Sequence, residues 1–591
     1  MDFLFLPRGK KVFLNLNFAY LYLIIFFILT FFLSFIVFLN LQFFYKSEAQ
    51  EVLNSSRYLT FFYFPPRGKI FDRYGKLLAD SRKVYDLYAN FQSLTEEEKN
   101  MLTEILEKEK PLYFYWGDEL IIRFLELNQV SKILANKEKY PNIFLIPSYK
   151  RVYYGGEAFG NLIGYLGLSE KNNLEFEGKI GIESFYDEVL KGKPGKIVYQ
   201  KIKGKLVKVL EEEPISGNDI YLTIDKELQE AIYQEFKNYF QETGYQKGSF
   251  ILTDPRNGEV IALISYPSFD SNIFLEKRKE IQKILTNQNN PLFNRAISGL
   301  YSPGSTIKII IGGAALEEKV VTPQTKIYSA GEIRIPHPYF PGIYSVFKDN
   351  KVHGWTDIYK AISNSVNVYF YLVGGGYPYP NEELPIKNGL GIERLVNYFK
   401  KFNLGEKTGI DFPGEKAGIL PQWENKTWRL GDTYNVSIGQ GEILVTPLQI
   451  NLWTSYFTYG KIYRPHLLKK IVDNQGKTVF EAKSLVLREN IISEENWKII
   501  KEAMKLTVTQ GTAKMLNDLP LKLAGKSGSP QILGKEKLNA IFTGFAPFDK
   551  PEITATILIE EVPYGSVASL PLFKNIMALY YQLKVNGRNS F

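Results

Sequence analysis

A serine and a lysine with the spacing needed for nucleophilic catalysis lie near the middle of the chain, in Ser305-Thr306-Ile307-Lys308. A Pro-Gly pair precedes this segment and an apolar run, residues 309–315, follows it, so we expect a buried helix to start near Ser305. Residues i and i+3 share a helical face, which allows the Lys308 amine to reach the Ser305 hydroxyl. A serine hydroxyl is a weak nucleophile until a base takes its proton, and burial lowers the pKa of a lysine toward the range of such a base.

The same spacing occurs a second time, in Ser345-Val346-Phe347-Lys348. This copy lies in a turn region rich in Lys and Asp, where a lysine would stay hydrated and protonated. We therefore favour Ser305 and Lys308 as nucleophile and base, although a four-residue pattern is weak evidence by itself in a chain of 591 residues.

Two further polar elements follow in order and strengthen this choice. Ser365-Val366-Asn367 lies in an amphipathic stretch, residues 357–372, and Lys526-Ser527-Gly528 lies beside a predicted hairpin of residues 521–524 and 540–545. Each element has a rival elsewhere. Ser216-Gly217-Asn218 precedes the nucleophile, and Lys407-Thr408-Gly409 falls in a Gly/Pro loop, so order and context select the copies at Ser365 and Lys526.

The N-terminal segment has the composition of a membrane anchor. Residues 12–45 contain no charged side chain, and the apolar centre, residues 19–39, is long enough to cross a bilayer, which takes about 20 residues. Basic residues precede it (Arg8, Lys10 and Lys11), which predicts a cytoplasmic N-terminus and places everything after Lys46 outside. A cleaved signal peptide is the alternative, but its apolar region would span only about 7–15 residues.

The chain beyond the apolar segment divides into two parts that differ in their sequence patterns. Residues 46 to about 215 offer no obvious nucleophile and contain a basic, turn-rich element (67–75), a capping box at Ser93–Glu96 and a glycine-punctuated stretch (178–195) with Glu183. From about Gly217, strands and helices are predicted at 219–223, 226–240, 249–253, 259–264 and 553–560. Because strands are predicted at both ends of this part with helices between them, we expect the first and last strands to lie in one sheet.

Composition excludes several other classes of function. The chain has no cysteine, so disulfides, thiolate chemistry and sulfur-ligated zinc cannot contribute. Its three histidines show no metal-ligand spacing, and we predict neither a metal nor a cofactor. The net charge of +9 comes from lysines that are spread along the chain and interleaved with Glu, so we predict no nucleic-acid partner.

Together these elements resemble the class B penicillin-binding proteins along nearly the whole chain, since S-x-x-K, S-x-N and K-[ST]-G are the catalytic elements of that family. Residues 431–441, with Thr446-Pro447-Leu448-Gln449, look most like penicillin-binding protein 2, the elongation subfamily. The resemblance implies an α+β fold: one N-terminal transmembrane helix, a mixed pedestal domain, and a penicillin-recognising serine transpeptidase domain whose antiparallel sheet is flanked by helices. The implied boundaries are a cytoplasmic tail (1–16), a transmembrane helix (17–42), a pedestal (43–215), a transpeptidase domain (216–582) and a tail (583–591).

The resemblance also implies a role for each matching residue. Ser305 would be the acylated nucleophile and Lys308 its base, while Ser365 would relay the proton and Asn367 would hold the substrate amide. Lys526 would supply positive charge beside Ser365. The carboxylate of the substrate would be bound by Ser527, Gly528 and Ser529, and the backbone N–H groups of Ser305 and Ser529 would form the oxyanion hole.

The implied reaction crosslinks wall stem peptides carried on lipid-linked nascent glycan, with release of D-Ala, and β-lactams would inhibit it. No polymerising domain fits between anchor and catalytic domain, so the hypothesis adds a RodA-type glycosyltransferase as partner. One departure from the family pattern stands out. Pro530 follows Ser529 where the family commonly has K-[ST]-G-T-A, and a proline removes a backbone N–H donor from this strand edge.

Three alternatives remain open. A division-type transpeptidase of the same family, with an FtsW-type partner, would carry the same residues. A membrane-anchored D,D-carboxypeptidase or a β-lactamase would use water as the acyl acceptor. A non-enzymatic scaffold or β-lactam sensor would need only a penicillin-binding fold.

Overall fold

The computed structural model describes residues 22–40, 58–90, 93–109, 112–116, 119–170, 175–202, 205–276, 278–337, 339–424 and 427–587. The predicted cytoplasmic tail and the margins of the predicted transmembrane helix lie outside the described residues, as do residues 588–591.

The N-terminal third alternates short helices with strands. In chain order these are α1 (Tyr22–Asn40), β1 (Tyr58–Tyr63), β2 (Ile70–Phe71), β3 (Leu77–Asn90), α2 (Glu96–Glu109), β4 (Leu112–Trp116), β5 (Glu119–Leu125), α3 (Leu127–Ala135), β6 (Ile143–Tyr153), α4 (Gly160–Ile163), β7 (Leu166–Leu168), β8 (Phe176–Gly178), α5 (Gly181–Phe185), α6 (Asp187–Leu190), β9 (Gly195–Ile202) and β10 (Lys205–Glu212).

The remainder of the chain is richer in helix. It contains β11 (Asp219–Leu222), α7 (Lys226–Thr243), β12 (Gly248–Thr253), β13 (Val260–Tyr266), α8 (Ile273–Glu276), α9 (Arg278–Leu285), α10 (Arg295–Ser298), α11 (Lys308–Glu317), β14 (Ile327–Ser329), β15 (Glu332–Pro336), β16 (Tyr344–Lys348), β17 (Gly354–Thr356), α12 (Ile358–Ser363), α13 (Asn367–Gly375), α14 (Gly391–Lys401), α15 (Leu430–Ser437), α16 (Pro447–Tyr459), β18 (Lys461–Tyr463), β19 (Leu468–Val472), β20 (Thr478–Glu481), β21 (Val486–Glu489), α17 (Glu494–Thr509), β22 (Ala524–Gly528), β23 (Leu538–Ala546), β24 (Ile553–Val562) and α18 (Ser569–Gly587).

The chain forms two compact units, and the smaller one comprises residues up to 63 together with 194–214. Its helix α1 has 19 residues and a mean hydropathy of 2.9, so its length and composition suffice to cross a membrane. Strands β1, β9 and β10 form an antiparallel sheet in the order β1-β9-β10.

The larger unit holds two main sheets, of which the first combines strands distant in sequence. Its order is β20-β19-β11-β2-β3-β5-β4, and β6 pairs with β3 over the register Ala79↔Tyr153 to Ala89↔Ile143. Strand β11 pairs in parallel with β2 and antiparallel with β19. The sheet therefore joins residues on both sides of the boundary predicted at 215/216.

A buried ion cluster stabilises this sheet region. Glu183 is fully buried and accepts hydrogen bonds from Arg67 Nε at 2.5 Å and Arg151 Nε at 2.7 Å. Burial alone would raise the pKa of Glu183, but Arg151 and Arg67 outweigh it, and the net pKa is lowered. The basic element at 67–75 and the glycine-punctuated stretch at 178–195 therefore meet at the Glu183 carboxylate.

The predicted capping box is two residues out of register. Thr95 N donates to Glu98 Oε2 at 2.8 Å, and Glu98 N donates to Thr95 Oγ1 at 3.2 Å, across the start of helix α2. Ser93 instead donates its hydroxyl to Asn90 O. The prediction chose the first S/T-x-x-E match, whereas the helix starts at the second, Thr95-x-x-Glu98.

The second sheet is antiparallel and has the order β13-β12-β24-β23-β22. Strand β24, near the C-terminus, pairs with β12, which confirms that the two extremities of this part close one sheet. Apolar side chains alternate between its faces: Phe250 packs with α7 and α18, and Ile251 packs in the cluster that contains α11 and α16. Helices thus cover both faces, and α18 extends to Gly587, into the segment predicted as a tail from residue 583.

Candidate active site

Ser305 lies in a tight turn held by two glycines. Residues Gly304–Ile307 form one 3₁₀ turn, and α11 continues it from Lys308, so the predicted helix begins three residues after the serine. Gly304 has φ +54° and its N–H donates to Gly439 O at 2.9 Å. A Cβ on Gly439 would stand 2.1 Å from Gly304 O, so the approach of these two backbones requires glycine.

The Lys308 side chain is completely buried at the start of α11. Nζ donates to Ser365 O at 2.8 Å and to Asn367 Oδ1 at 2.6 Å, and Ser365 Oγ lies 3.4 Å from it. Burial lowers the pKa of Lys308 to about 7, with Asp349 opposing the shift. The amine therefore loses its proton near neutral pH.

The hydrogen bonds of Lys308 define what the neutral amine can do. An uncharged amine has two N–H donors and one lone pair, and the Ser365 carbonyl and the Asn367 amide oxygen can take both donors. The lone pair is then left to accept a proton from a hydroxyl. Among the described residues, Lys308 makes no hydrogen bond to Ser305, although the i, i+3 spacing predicts that the amine can reach this hydroxyl.

Ser365 and Asn367 lie at a break between two helices. The stretch predicted as one amphipathic segment is divided into α12 and α13, and Ser365 between them has φ +60°. A left-handed conformation is uncommon for a residue other than glycine and marks a backbone that its surroundings hold in place. The break turns both the Ser365 carbonyl and the Asn367 side chain toward Lys308.

Asp349 holds the start of helix α13, next to Asn367, and the sequence analysis did not identify it. Its buried carboxylate accepts a hydrogen bond from Val368 N at 2.9 Å, in the first turn of α13. Its negative charge favours the protonated form of Lys308. The Lys/Asp-rich turn offered no signal for this role, because the pattern predicts solvated side chains and only the packing buries this carboxylate.

Lys526 lies within edge strand β22 and is completely buried. Its Nζ donates to Ser527 O at 3.0 Å, and it pairs across the sheet with Thr543. Burial, with Lys308 nearby, lowers the pKa of Lys526 well below its usual value. The positive charge predicted for Lys526 is therefore disfavoured by its surroundings, since burial penalises an ammonium group and a second buried ammonium would repel it.

The end of β22 lies against the turn that carries Ser305. A Cβ on Gly528 would stand 3.0 Å from Thr306 Cγ2 and 3.1 Å from Pro303 O, which explains the glycine. A Cβ on Gly304 would likewise lie 2.8 Å from Pro530 Cδ. The unusual proline thus packs against the turn that carries Ser305.

The two serines after Lys526 differ in their surroundings. Ser527 is buried, and its hydroxyl lies 2.7 Å from that of Thr512. Ser529 is exposed, follows the end of β22, and accepts a hydrogen bond from Ser566 N at 2.8 Å. The two serines predicted to bind a carboxylate therefore contact different loops, Ser527 the loop of Thr512 and Ser529 that of Ser566.

The rival copies of the patterns have other surroundings. Ser345 and Lys348 lie on the exposed strand β16. Thr408 and Gly409 bind the carboxylate of Glu415 through their N–H groups and the Thr408 hydroxyl, in a turn of their own.

The structure thus brings the predicted elements together. Lys308 contacts Ser365 and Asn367 directly, and the strand of Lys526 packs on the turn of Ser305. Gly439, by contrast, was part of a run that carried the family resemblance without an assigned role, and the structure gives it one.

Two models of known protein domains match this chain. A model of the penicillin-binding protein transpeptidase domain matches residues 248–578, and one of the penicillin-binding protein dimerisation domain matches residues 63–222. The peptidoglycan D,D-transpeptidase MrdA of Haemophilus influenzae is 32% identical over 575 residues, covering 87% of this chain and 84% of that protein.

Two solved structures are similar over most of the chain. The first is the complex between penicillin-binding protein 2 and MreC from Helicobacter pylori, with a TM-score of 0.71, 27% identity, and coverage of 89% of this chain and 99% of that one. The second is a peptidoglycan synthase complex that coordinates polymerisation and crosslinking, with a TM-score of 0.69, 26% identity, and coverage of 98% and 100%. The chain therefore belongs to the class B penicillin-binding proteins, the family of serine peptidoglycan D,D-transpeptidases that includes MrdA.

Proposed function

We propose that this chain crosslinks wall peptides during cell elongation, with Ser305 as nucleophile and Lys308 as its base. The observation that carries the proposal is the buried Lys308 amine, whose pKa is lowered to about 7 and whose two acceptor partners come from the Ser365–Asn367 element. A lysine in this state can take a proton at neutral pH, which a solvated lysine cannot.

In the first step, Ser305 Oγ would attack the carbonyl carbon of the penultimate D-Ala while Lys308 takes its proton. The peptide C–N bond would then break, and the proton would pass through Ser365 to the nitrogen of the leaving D-Ala. The product is an ester between the peptide and Ser305. Backbone N–H groups of Ser305 and Ser529 would stabilise the developing oxyanion, on two segments that the structure holds in contact.

In the second step, an amine of a neighbouring stem peptide would attack the ester carbonyl. The C–O bond to Ser305 would break, and a proton of the amine would return to Ser305 Oγ through the same relay. Asn367 would orient the substrate amide. Before the first step, Ser527, Gly528 and Ser529 would bind the carboxylate of the terminal D-Ala that later leaves, and its negative charge would raise the depressed pKa of Lys526 and favour the charged form there.

The cellular setting follows from the anchor and the relatives. We place the N-terminus in the cytoplasm and the catalytic domain outside, because basic residues precede α1. A RodA-type glycosyltransferase is the proposed partner, since a similar structure is of a complex that couples polymerisation to crosslinking. Depletion in cells distinguishes this role from division: rounded cells support elongation, and filaments support the division-type alternative.

Labelling with fluorescent penicillin tests the proposed site. We expect the full-length protein in detergent to form a covalent adduct, Ser305→Ala to lose it entirely, and Ser345→Ala to keep it. Mass spectrometry of the labelled peptide should place the adduct on Ser305. Loss of the adduct in Ser345→Ala but not in Ser305→Ala would refute the assignment, and rapid turnover of the antibiotic would favour the β-lactamase alternative.

A further inference from the structure

Thr512 connects two of the catalytic elements through two different atoms. Its backbone N–H donates to Ser363 O at 3.1 Å, and Ser363 is the last residue of α12, two residues before Ser365. Its hydroxyl lies 2.7 Å from the hydroxyl of Ser527, in the Lys526-Ser527-Gly528 element. Thr512, three positions beyond the end of helix α17, thus contacts the K-S-G segment and the end of the helix that precedes the S-x-N segment.

The backbone approach at this point is close enough to require a glycine beside the threonine. A Cβ on Gly511 would stand 2.1 Å from Ser363 O and 2.9 Å from Thr507 Cα. Gly511 N is held by Leu506 O at 2.9 Å, at the end of α17. The position of Thr512 is therefore set by main-chain contacts on both sides and does not depend on its hydroxyl.

Either hydroxyl could be the donor in this contact, and the proposed role of Ser527 in carboxylate binding favours one direction. A serine hydroxyl has one proton to donate and lone pairs to accept with. If Ser527 donated to Thr512, it would have no proton left for a carboxylate. If Thr512 donates to Ser527, the Ser527 proton is free, and Thr512 is exposed beside it, at a position open to solvent.

We propose that Thr512 is a positioning residue for substrate binding: its hydroxyl donates to Ser527 Oγ and thereby orients the Ser527 proton toward the substrate carboxylate. The inference rests on the proposed function, in which Ser527 binds that carboxylate. It assigns the anchoring of the K-S-G hydroxyl to a residue outside the three catalytic elements. Ser529, held by Ser566 N, is anchored independently.

Penicillin acylation kinetics test the role, since penicillin carries a carboxylate and the concentration dependence separates its dissociation constant from the rate of acylation. We expect Thr512→Val, which keeps the shape and removes the hydroxyl, to weaken penicillin binding about 3- to 10-fold, the usual range for one neutral hydrogen bond. The acylation rate at saturation should change less than about twofold. Thr512→Ser should restore wild-type binding.

A double-mutant cycle shows whether Thr512 acts through Ser527. In a Ser527→Ala background, Thr512→Val should have no additional effect on binding beyond about twofold. Thr509→Val is the matched control, because its hydroxyl bonds only to Lys505 O within its own helix in the described structure, and it should behave as wild type. Thermal unfolding of all variants checks that the fold is unchanged.

The outcomes separate this inference from the proposed function. If the wild type forms no adduct at Ser305, the proposed function fails and the inference with it. If the wild type reacts normally and Thr512→Val binds penicillin as tightly, only the positioning role is overturned. Equal effects of Thr512→Val with and without Ser527, together with a lower melting temperature, would assign Thr512 a purely structural role and also overturn it.

Discussion

Two copies of the pattern S-x-x-K occur in this chain, and the structure gives them opposite environments. Lys308 follows Ser305 at the start of a buried helix, and its side chain has no exposed surface. Lys348 follows Ser345 on an exposed strand of a two-stranded sheet. In a helix the two side chains share a face, whereas in a strand positions i and i+3 point to opposite faces. Spacing alone therefore does not make a catalytic pair.

The second copy still contributes to the site, but through its backbone. Lys348 O accepts hydrogen bonds from Asn367 Nδ2 at 3.5 Å and from the Tyr371 hydroxyl at 3.1 Å. The next residue, Asp349, caps helix α13. The rejected segment thus supports the element that binds Lys308, and the comparison separates side-chain chemistry from backbone scaffolding.

Removing each lysine should give the largest contrast between the copies. Lys308→Ala is expected to slow acylation by penicillin by about 10²–10⁴, the range for loss of a positioned base. Lys348→Ala should leave the rate unchanged, because the contacts to Asn367 and Tyr371 come from its carbonyl. Stopped-flow or gel-based acylation rates measure both. A slow Lys348→Ala beside a normal Lys308→Ala would reverse the assignment.

The two K-[ST]-G copies offer a second, smaller contrast. Lys526→Ala should slow acylation about 10- to 150-fold, because it removes the positive charge that the bound carboxylate would favour beside Ser365, and interactions with charged groups contribute about 1.5–3 kcal/mol. Lys407→Ala should have no effect, since its neighbours Thr408 and Gly409 are bound to Glu415 in a separate turn. The second-order rate constant with penicillin is the measurement. Equal rates for the two variants would remove Lys526 from the site.

The smallest expected effect is a shift in pH dependence. Only the neutral Lys308 amine accepts a proton, so acylation should rise with pH through about 7. Asp349 raises the pKa of Lys308, and therefore Asp349→Asn should lower that pKa and move the rise in acylation rate to lower pH. Asparagine keeps an oxygen for Val368 N, so the cap on α13 is retained. If the pH dependence of the acylation rate is unchanged in Asp349→Asn, the Asp349 charge does not act on Lys308.

Much of the sheet was predictable from local pattern. The apolar runs at residues 249–253 and 259–264, the Asn257-Gly258 pair between them and the alternation at 553–560 are properties of neighbouring residues, and the strands β12, β13 and β24 confirm the predicted strands. The first strand of the hairpin at Lys526 is predicted at residues 521–524, whereas β22 spans Ala524–Gly528 and includes the lysine. Strand ends depend on which partner residues the sheet supplies, and that is a tertiary property.

The site shows the same division between pattern and packing. Ser305, Lys308, Ser365, Asn367 and Lys526 were selected by order and spacing, and the structure brings their segments together. No local signal could find Asp349, Gly439 or Thr512, because each acts on residues far away in sequence. Gly439 lies against Gly304, and Thr512 lies against Ser363 and Ser527.

The sequence by itself determined the family, the apolar anchor segment and the types of residue available for chemistry, since these depend only on composition and order. Tertiary structure decided which lysine is buried with a lowered pKa and which stays solvated, because a pKa depends on burial and on charges brought in from other segments. It also decided that the Lys308 amine binds Ser365 and Asn367, since the break between two helices turns those oxygens toward it.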